Sequence, residues 1–361
     1  MLRCTSCGRT YPETFRLTCE CGGTLLVERE PPGDFAELLK PRADMRRYSA
    51  FLPVHEEYLP ELVPALTPVV ETEIGGVHVA FKLEYLQPTG SFKDRGTYVT
   101  VAKLKEEGIT EVVLDSSGNA ALSLAAFSLG EGLSAHVFLP GRVSAGKLSL
   151  LRRLGVGLHL VPGPREEAHA AAVEFARENG MVYVSHWLNP YFLEGTKTVA
   201  FETYEQVGVP DYVLAPTGSG SLFLGLWKGF FELRKMGEIG RMPSFVAVQA
   251  GGYESLCPRS GKSSELAEGI AIPSPPRLDE MKRVLRKSGG SCVSVGDGEI
   301  GMALRWLWNR GFLVEPTSAT VLAAFWRLYN TGFIERGSGV LLPLTGSGLK
   351  SPPYGSSLQP K

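Results

Sequence analysis

The chain has 361 residues, with 37 basic against 38 acidic side chains and a formal net charge of −1. That length can bury a large core and form two lobes with additions, and the charge balance offers neither a basic surface for nucleic acid nor a charged tail. No apolar stretch is long and unbroken enough to span a bilayer, and the start Met1-Leu2-Arg3-Cys4 has no apolar signal segment, so a cytoplasmic protein without membrane or nucleic-acid partners is expected.

Four of the six cysteines fall in the first 21 residues, as Cys4-x-x-Cys7 and Cys19-x-Cys21 followed by Gly22-Gly23. Two close pairs on short turns can bring thiolates together from two knuckles, as a tetrahedral zinc site requires. The second pair has one intervening residue rather than two, which leaves a metal-free remnant as the alternative. Residues 1–28 are read as a structural unit either way. Cys257 and Cys292 are left over, and nothing requires them to pair.

From about residue 75 strand-like and helix-like runs alternate. Strands are expected over 77–83, 111–114, 135–139, 157–161, 182–184, 212–215, 245–249 and 339–343. Helices are expected over 98–105, 120–131, 147–154, 166–178, 222–236 and 319–329. Such alternation predicts an α/β fold with parallel sheets covered on both faces. The Pro/Ser-rich end, 351–361, is expected to fray.

Four stretches between strands and helices carry chemistry. The first is Gln87-Pro88-Thr89-Gly90-Ser91-Phe92-Lys93-Asp94-Arg95-Gly96-Thr97. A tight junction bounded by glycine can hold the Lys93 amine at a fixed place, as a nucleophile needs. The second is Asp115-Ser116-Ser117-Gly118-Asn119, where a helix start and two hydroxyls suit a carboxylate; plain N-capping is the alternative. The third, Ala215-Pro216-Thr217-Gly218-Ser219-Gly220-Ser221, lets backbone N–H groups close on a phosphate. It lacks the further glycine and acidic partner of a dinucleotide fingerprint. The fourth is Leu342-Pro343-Leu344-Thr345-Gly346-Ser347-Gly348-Leu349-Lys350.

The first stretch resembles the lysine segment of the fold-type II pyridoxal-phosphate enzymes, and Pro88–Gly96 is most similar to the threonine synthase version. The resemblance runs from the N-terminal cysteines to Lys350, in the same order as the four stretches, and includes Ala145-Gly146-Lys147-Leu148 and Glu315-Pro316-Thr317-Ser318-Ala319. It implies two open twisted sheets covered by helices, with a zinc-ribbon-like segment at 1–28. A large lobe would combine 29–96 with 200–350, a small lobe would span 97–199, and a homodimer is the expected assembly. It implies pyridoxal 5'-phosphate bound as a Schiff base on Lys93, beside Phe92. Asn119 would face the cofactor's ring oxygen, and Gly218, Ser219, Gly220 and Ser221 its phosphate. Thr345 would face its ring nitrogen. An amino-acid substrate would meet Ser116, Ser117, Gly118 and Lys147. Structural zinc, if present, would sit on Cys4, Cys7, Cys19 and Cys21.

Some positions depart from that pattern. Where the family often places Ser and Arg against a substrate phosphate, the run His186-Trp187-Leu188-Asn189-Pro190-Tyr191-Phe192 has Trp187 and Phe192. Phosphate recognition relies on charge-assisted donors, which leaves two reactions open. One converts O-phosphohomoserine and water to threonine and phosphate. The other is β-elimination or β-replacement on serine, threonine or O-phosphoserine. Lys147, Lys197 and Arg95 are the candidate replacement donors, and Lys147 and Lys197 are equally readable as solvated helix lysines. His186 and Trp187 either shape the pocket or form an aromatic packing cluster.

Overall fold

The computed structural model describes residues 1–116, 118–141, 145–163, 165–259 and 262–350. The 351–361 tail and Ser117 lie outside the described residues. Three short antiparallel strands open the chain, β1 (Leu2–Cys4), β2 (Thr10–Tyr11) and β3 (Leu25–Val27). A short helix, α1 (Phe35–Leu38), leads to a hairpin of β4 (Val69–Ile74) and β5 (Val77–Lys82). Its turn is Gly75-Gly76, both at positive φ, as a two-residue hairpin loop demands.

Helix α2 (Lys93–Glu106) is followed by an alternating run: β6 (Glu111–Asp115), α3 (Asn119–Leu129), β7 (Ser134–Pro140), α4 (Ala145–Arg153), β8 (Gly157–Val161), α5 (Arg165–Glu178) and β9 (Val182–Tyr183). Helices α6 (Pro190–Thr196) and α7 (Thr198–Val207) lead into β10 (Tyr212–Pro216), α8 (Ser221–Lys235), β11 (Ser244–Ala250), α9 (Leu278–Ser288) and β12 (Ser291–Val295). Helices α10 (Asp297–Trp308) and α11 (Pro316–Asn330) precede the last strand, β13 (Gly339–Pro343).

One sheet has the order β12-β11-β10-β13-β5-β4 and another the order β8-β7-β6-β9. Successive side chains of the central strands go to opposite faces. Leu214, Val246 and Val248 join a core with α10 and α11, while Val213, Ala215, Phe245 and Ala247 join one with α7 and α8. In the second sheet, Val112 and Leu114 face a core shared with α2, α3 and the N-terminal strands, and Val113 faces α5. The α/β expectation holds. The all-parallel expectation fails at β4, which pairs antiparallel with β5, because a two-residue loop can join only antiparallel neighbours.

Helix α2 begins at Lys93, well before the expected 98. Its backbone lies directly on α6: a Cβ on Gly195 would sit 1.9 Å from the Arg95 carbonyl oxygen, and one on Gly96 would sit 2.4 Å from the Phe192 ring. Strands β6, β10 and β13 run without a gap into three of the four chemistry-bearing stretches, and β5 ends at Lys82, shortly before the first. All four stretches therefore lie at carboxyl ends of strands, where open α/β sheets bind ligands.

Candidate active site

One cavity of about 180 Å³ gathers Phe92, Lys93, Ser116, Gly118, Asn119, Lys147, Gly218, Ser219, Gly220, Ser221 and Thr345. Apart from the candidate phosphate donors Arg95 and Lys197, the described residues singled out from the sequence to hold cofactor or substrate are on its wall. Lys93 opens α2, with its Nζ 4.5 Å from the centre of the Phe92 ring. The lysine loop is stitched to the fourth stretch by backbone. The Phe92 N–H donates to the Thr345 carbonyl at 3.1 Å, and the Ser347 N–H to that of Gly90 at 2.9 Å. Lys93 and Thr345 are thereby set at a fixed separation. The Thr345 hydroxyl lies 3.2 Å from that of Ser318, on α11.

The Gly218–Ser221 stretch closes on β11 and opens α8. The Thr217 N–H donates to the Val248 carbonyl at 2.7 Å. Gly220 has φ +85°, and a Cβ on Gly218 would come 2.8 Å from Ile270 Cα, so side chains are excluded at both positions. The first turn of α8 has no preceding carbonyls to take its N–H groups, which leaves donors directed at an anion.

Asn119 opens α3 on the opposite wall. Its Nδ2 donates to the Glu315 carboxylate at 3.0 and 3.2 Å, and its Oδ1 accepts from Lys350 Nζ at 2.8 Å. Burial pulls the Lys350 amine down to about 8, against the upward pull of Glu315. Asp94 is fully buried and accepts from the Thr89 N–H at 2.7 Å. Burial still drives its carboxyl above the ordinary range.

The three candidate phosphate donors separate. Arg95 is fully buried and committed to Glu84 and Glu202. Lys197 is buried between Glu194 at 2.7 Å and Glu232 at 2.8 Å. Lys147, also buried, alone of the three lines the cavity. None of them is the solvated lysine or arginine of a helix surface. His186 lines the cavity and its ring stacks on Trp187 at 5.9 Å. Phe192 is buried under Gly96, 6.1 Å from the His186 ring. The aromatics thus form a packing cluster whose cavity-facing member is His186. Glu265, Glu268 and Glu315 also line the cavity, and none was singled out as a site residue from the sequence.

The family described as "Pyridoxal-phosphate dependent enzyme" matches residues 62–346. The chain belongs to this family. It is 34% identical to threonine synthase from Methanocaldococcus jannaschii, over 97% of this chain and 93% of that enzyme. It is 33% identical to threonine synthase from Synechocystis sp., over 91% and 88%. Among solved structures, a pyridoxal 5'-phosphate-dependent aspartate racemase superposes with TM-score 0.69 at 22% identity, covering 79% of this chain and 91% of that one. Threonine deaminase isoform 2 from Solanum lycopersicum superposes with TM-score 0.69 at 20% identity, covering 89% and 94%. The fold is therefore that of fold-type II pyridoxal-phosphate enzymes, and no described helix is long and apolar enough to cross a membrane.

This pyridoxal-phosphate dependent enzyme carries a second ligand set in its N-terminal strands. The sulfurs of Cys4, Cys7, Cys19 and Cys21 all lie within 4.8 Å of one another, with Cys7 and Cys19 3.6 Å apart and Cys4 and Cys21 3.6 Å apart. Thiolates about 2.3 Å from a tetrahedral zinc stand roughly 3.8 Å apart, so the set fits that metal despite its one-residue second spacing. Gly23 makes the closure possible, because a Cβ there would meet the Cys4 sulfur at 2.8 Å. The Tyr11 hydroxyl, 3.0 Å from the Cys19 sulfur, pulls that thiol down to about 6. The ribbon docks through Arg277, which donates to the Leu25 carbonyl at 3.0 Å and to those of Trp187 and Leu188 at 2.8 Å. Metal analysis is expected to give about one zinc per chain. Chelation should open residues 1–28 to protease ahead of the rest. A chain purified from zinc-replete cells with no metal, and no change in cleavage on chelation, would reject this assignment.

Proposed function

We propose that the cavity holds pyridoxal 5'-phosphate on Lys93 and acts on a small amino acid, with threonine formation from O-phosphohomoserine as the leading reaction. The observation that carries this reading is the convergence of Lys93, Asn119, Gly218–Ser221 and Thr345 on one cavity, with Lys147 on the same wall. The relatives named threonine synthase, aligned over nearly the whole chain, support the choice of reaction. We assign the six-stranded sheet to a large lobe from 29–96 and 200–350, and the four-stranded sheet to a small lobe over 97–199.

The bound cofactor supplies an electron sink for charge developing at the substrate α-carbon. The chain's residues do the rest. The N–H groups of Gly218–Ser221 hold the cofactor phosphate. The Thr345 hydroxyl meets the ring nitrogen without the charge that would keep it protonated, which favours elimination and replacement over transamination. Ser116, Gly118 and the start of α3 hold the substrate carboxylate, and the Lys93 amine moves the proton at the α-carbon. Lys147, which lines the same cavity, would meet a leaving phosphate. In the balanced reaction the γ-carbon loses phosphate and gains a proton to become a methyl group, while the β-carbon loses a proton and gains the hydroxyl of water.

A second reading has its own support. With Arg95 and Lys197 committed to buried carboxylates, Lys147 is the single lysine or arginine besides Lys93 on the described cavity wall, which also carries Glu265 and Glu268. A second dianionic phosphate prefers several converging donors. β-Elimination on serine or threonine needs no such donors. A substrate panel on holoenzyme decides between them. Phosphate and threonine released together from O-phosphohomoserine is the expected result. Ketoacid from serine or threonine, with O-phosphohomoserine inert, would transfer the assignment to the second reading.

A further inference from the structure

We propose that Lys350 is a positioning residue that locks the Asn119 amide in the orientation the cofactor's ring oxygen needs. The inference rests on the reading that Lys93 carries pyridoxal phosphate. An asparagine amide has a donor end and an acceptor end of nearly equal shape, so its neighbours decide which way it points. Here the acceptor end faces an ammonium and the donor end a carboxylate: Oδ1 lies 2.8 Å from Lys350 Nζ, and Nδ2 lies 3.0 Å from Glu315 Oε1. Turned over, the amide would set N–H against ammonium and carbonyl against carboxylate. Nδ2 also lies 3.2 Å from Glu315 Oε2, and one N–H shared between the two carboxylate oxygens would leave the other to donate into the cavity, where an oxygen of the cofactor ring would accept it.

Lys350 also joins Asn119 to the catalytic loop. Its Nζ donates to the Thr89 carbonyl at 3.1 Å and the Gly90 carbonyl at 2.8 Å, so its three N–H bonds are all used. Thr89 and Gly90 lie a few residues before Lys93. The amine is therefore a strut between the two walls that would grip the cofactor, and it has no hydrogen left for substrate. Its charged surroundings are Glu315 at the start of α11, Asp94 on α2 and Lys147 on α4, with Arg153 on the surface groove at its other side. Burial lowers its proton affinity, Glu315 and Asp94 raise it, and Lys147 lowers it, leaving a titration near 8. A neutral amine donates only two hydrogens. Deprotonation must therefore release one of the three acceptors and loosen the strut on the alkaline side.

The test compares wild-type holoenzyme with Lys350→Met and Lys350→Arg. The readouts are the cofactor's visible and near-ultraviolet bands across pH, its dissociation constant, kcat and KM separately, and the thermal melt. Wild type should show an alkaline spectral transition near 8. Lys350→Arg, charged throughout that range, should keep the neutral-pH spectrum and lose the transition. Lys350→Met should shift the band balance at every pH and lower kcat about a hundredfold, the scale of a misplacement near 1 Å, while still melting cooperatively. Should Lys350→Met fail to fold, the Arg variant against wild type carries the decision. Identical band balance and pH profiles in all three at equal cofactor occupancy overturn the inference and leave the cofactor reading standing. A wild-type chain that takes up no pyridoxal phosphate overturns both.

Discussion

Lys93→Ala is expected to lower turnover by at least about a thousandfold, some 4 kcal/mol of barrier, while leaving the fold intact. Two roles end together: the amine that would hold the cofactor and the base that would move the α-proton. Of the nearby amines, Lys147 alone shares the described cavity wall with Lys93, and two others are already engaged. Lys350 spends its hydrogens on Thr89, Gly90 and Asn119. Lys82 is buried at the end of β5 against Glu202 at 2.7 Å. The fold should tolerate the change because Lys93 is the first residue of α2 and partly exposed, and alanine is the best helix former. Borohydride treatment of wild type followed by peptide mapping should place the pyridoxyl group on Lys93, and the variant should retain none. Turnover within about tenfold of wild type, or a label on another lysine, would reject the assignment.

How much of this was legible in the sequence depends on whether the signal is local. The four site stretches were readable because each is a run of glycine and hydroxyl residues directly behind an apolar strand. Strands β8 and β13 fall where periodicity places them, 157–161 and 339–343. Helices α6 and α7 did not announce themselves, since every residue of α6 is buried and an all-round buried helix has no 3.6-residue stripe. A start signal was nonetheless present: Asn189 caps the helix and Pro190 takes its first position. Helix α9 carries a clear stripe, with buried Met281 and Val284 between charged residues, that could have been found. The strut at Lys350 and the acidic wall at Glu265, Glu268 and Glu315 were not legible. Asn119, Glu315 and Lys350 are far apart in the chain and meet only once the sheets are packed. The same holds for the ion cluster under α2, whose members at 82, 84, 95 and 202 carry no common local pattern.

That cluster sets the second large effect: Arg95→Met is expected to destabilise the chain by about 3–5 kcal/mol. Arg95 grips Glu84 with two parallel bonds of 2.7 Å and reaches Glu202 through both terminal nitrogens, one of them at 2.9 Å. Lys82 adds a bond of 2.7 Å to Glu202 and one of 2.6 Å to the Thr67 carbonyl. Two cations thus balance two carboxylates, and all four side chains are essentially unexposed. Burial alone would depress the arginine's proton affinity, but Glu202 and Glu84 more than offset it and hold it raised. Burial likewise pushes the Glu84 carboxyl up, and Arg95 outweighs it and holds that carboxyl below its ordinary 4.5. Removing Arg95 leaves two buried carboxylates with one ammonium. The pH dependence follows from the Glu84 shift. In wild type, its contribution is present above 4.5 and fades as pH falls through the depressed folded value. The variant lacks that contribution, so its deficit should be widest near neutrality and narrow on acidification. Adding Glu84→Gln should recover part of the loss, because it removes one of the stranded charges. The same turn of α2 carries Lys93, so cofactor occupancy should fall with stability. Denaturant unfolding of the single and double variants at several pH values measures all of this. A single variant within about 1 kcal/mol of wild type would mean that water or rearranged neighbours already satisfy these carboxylates.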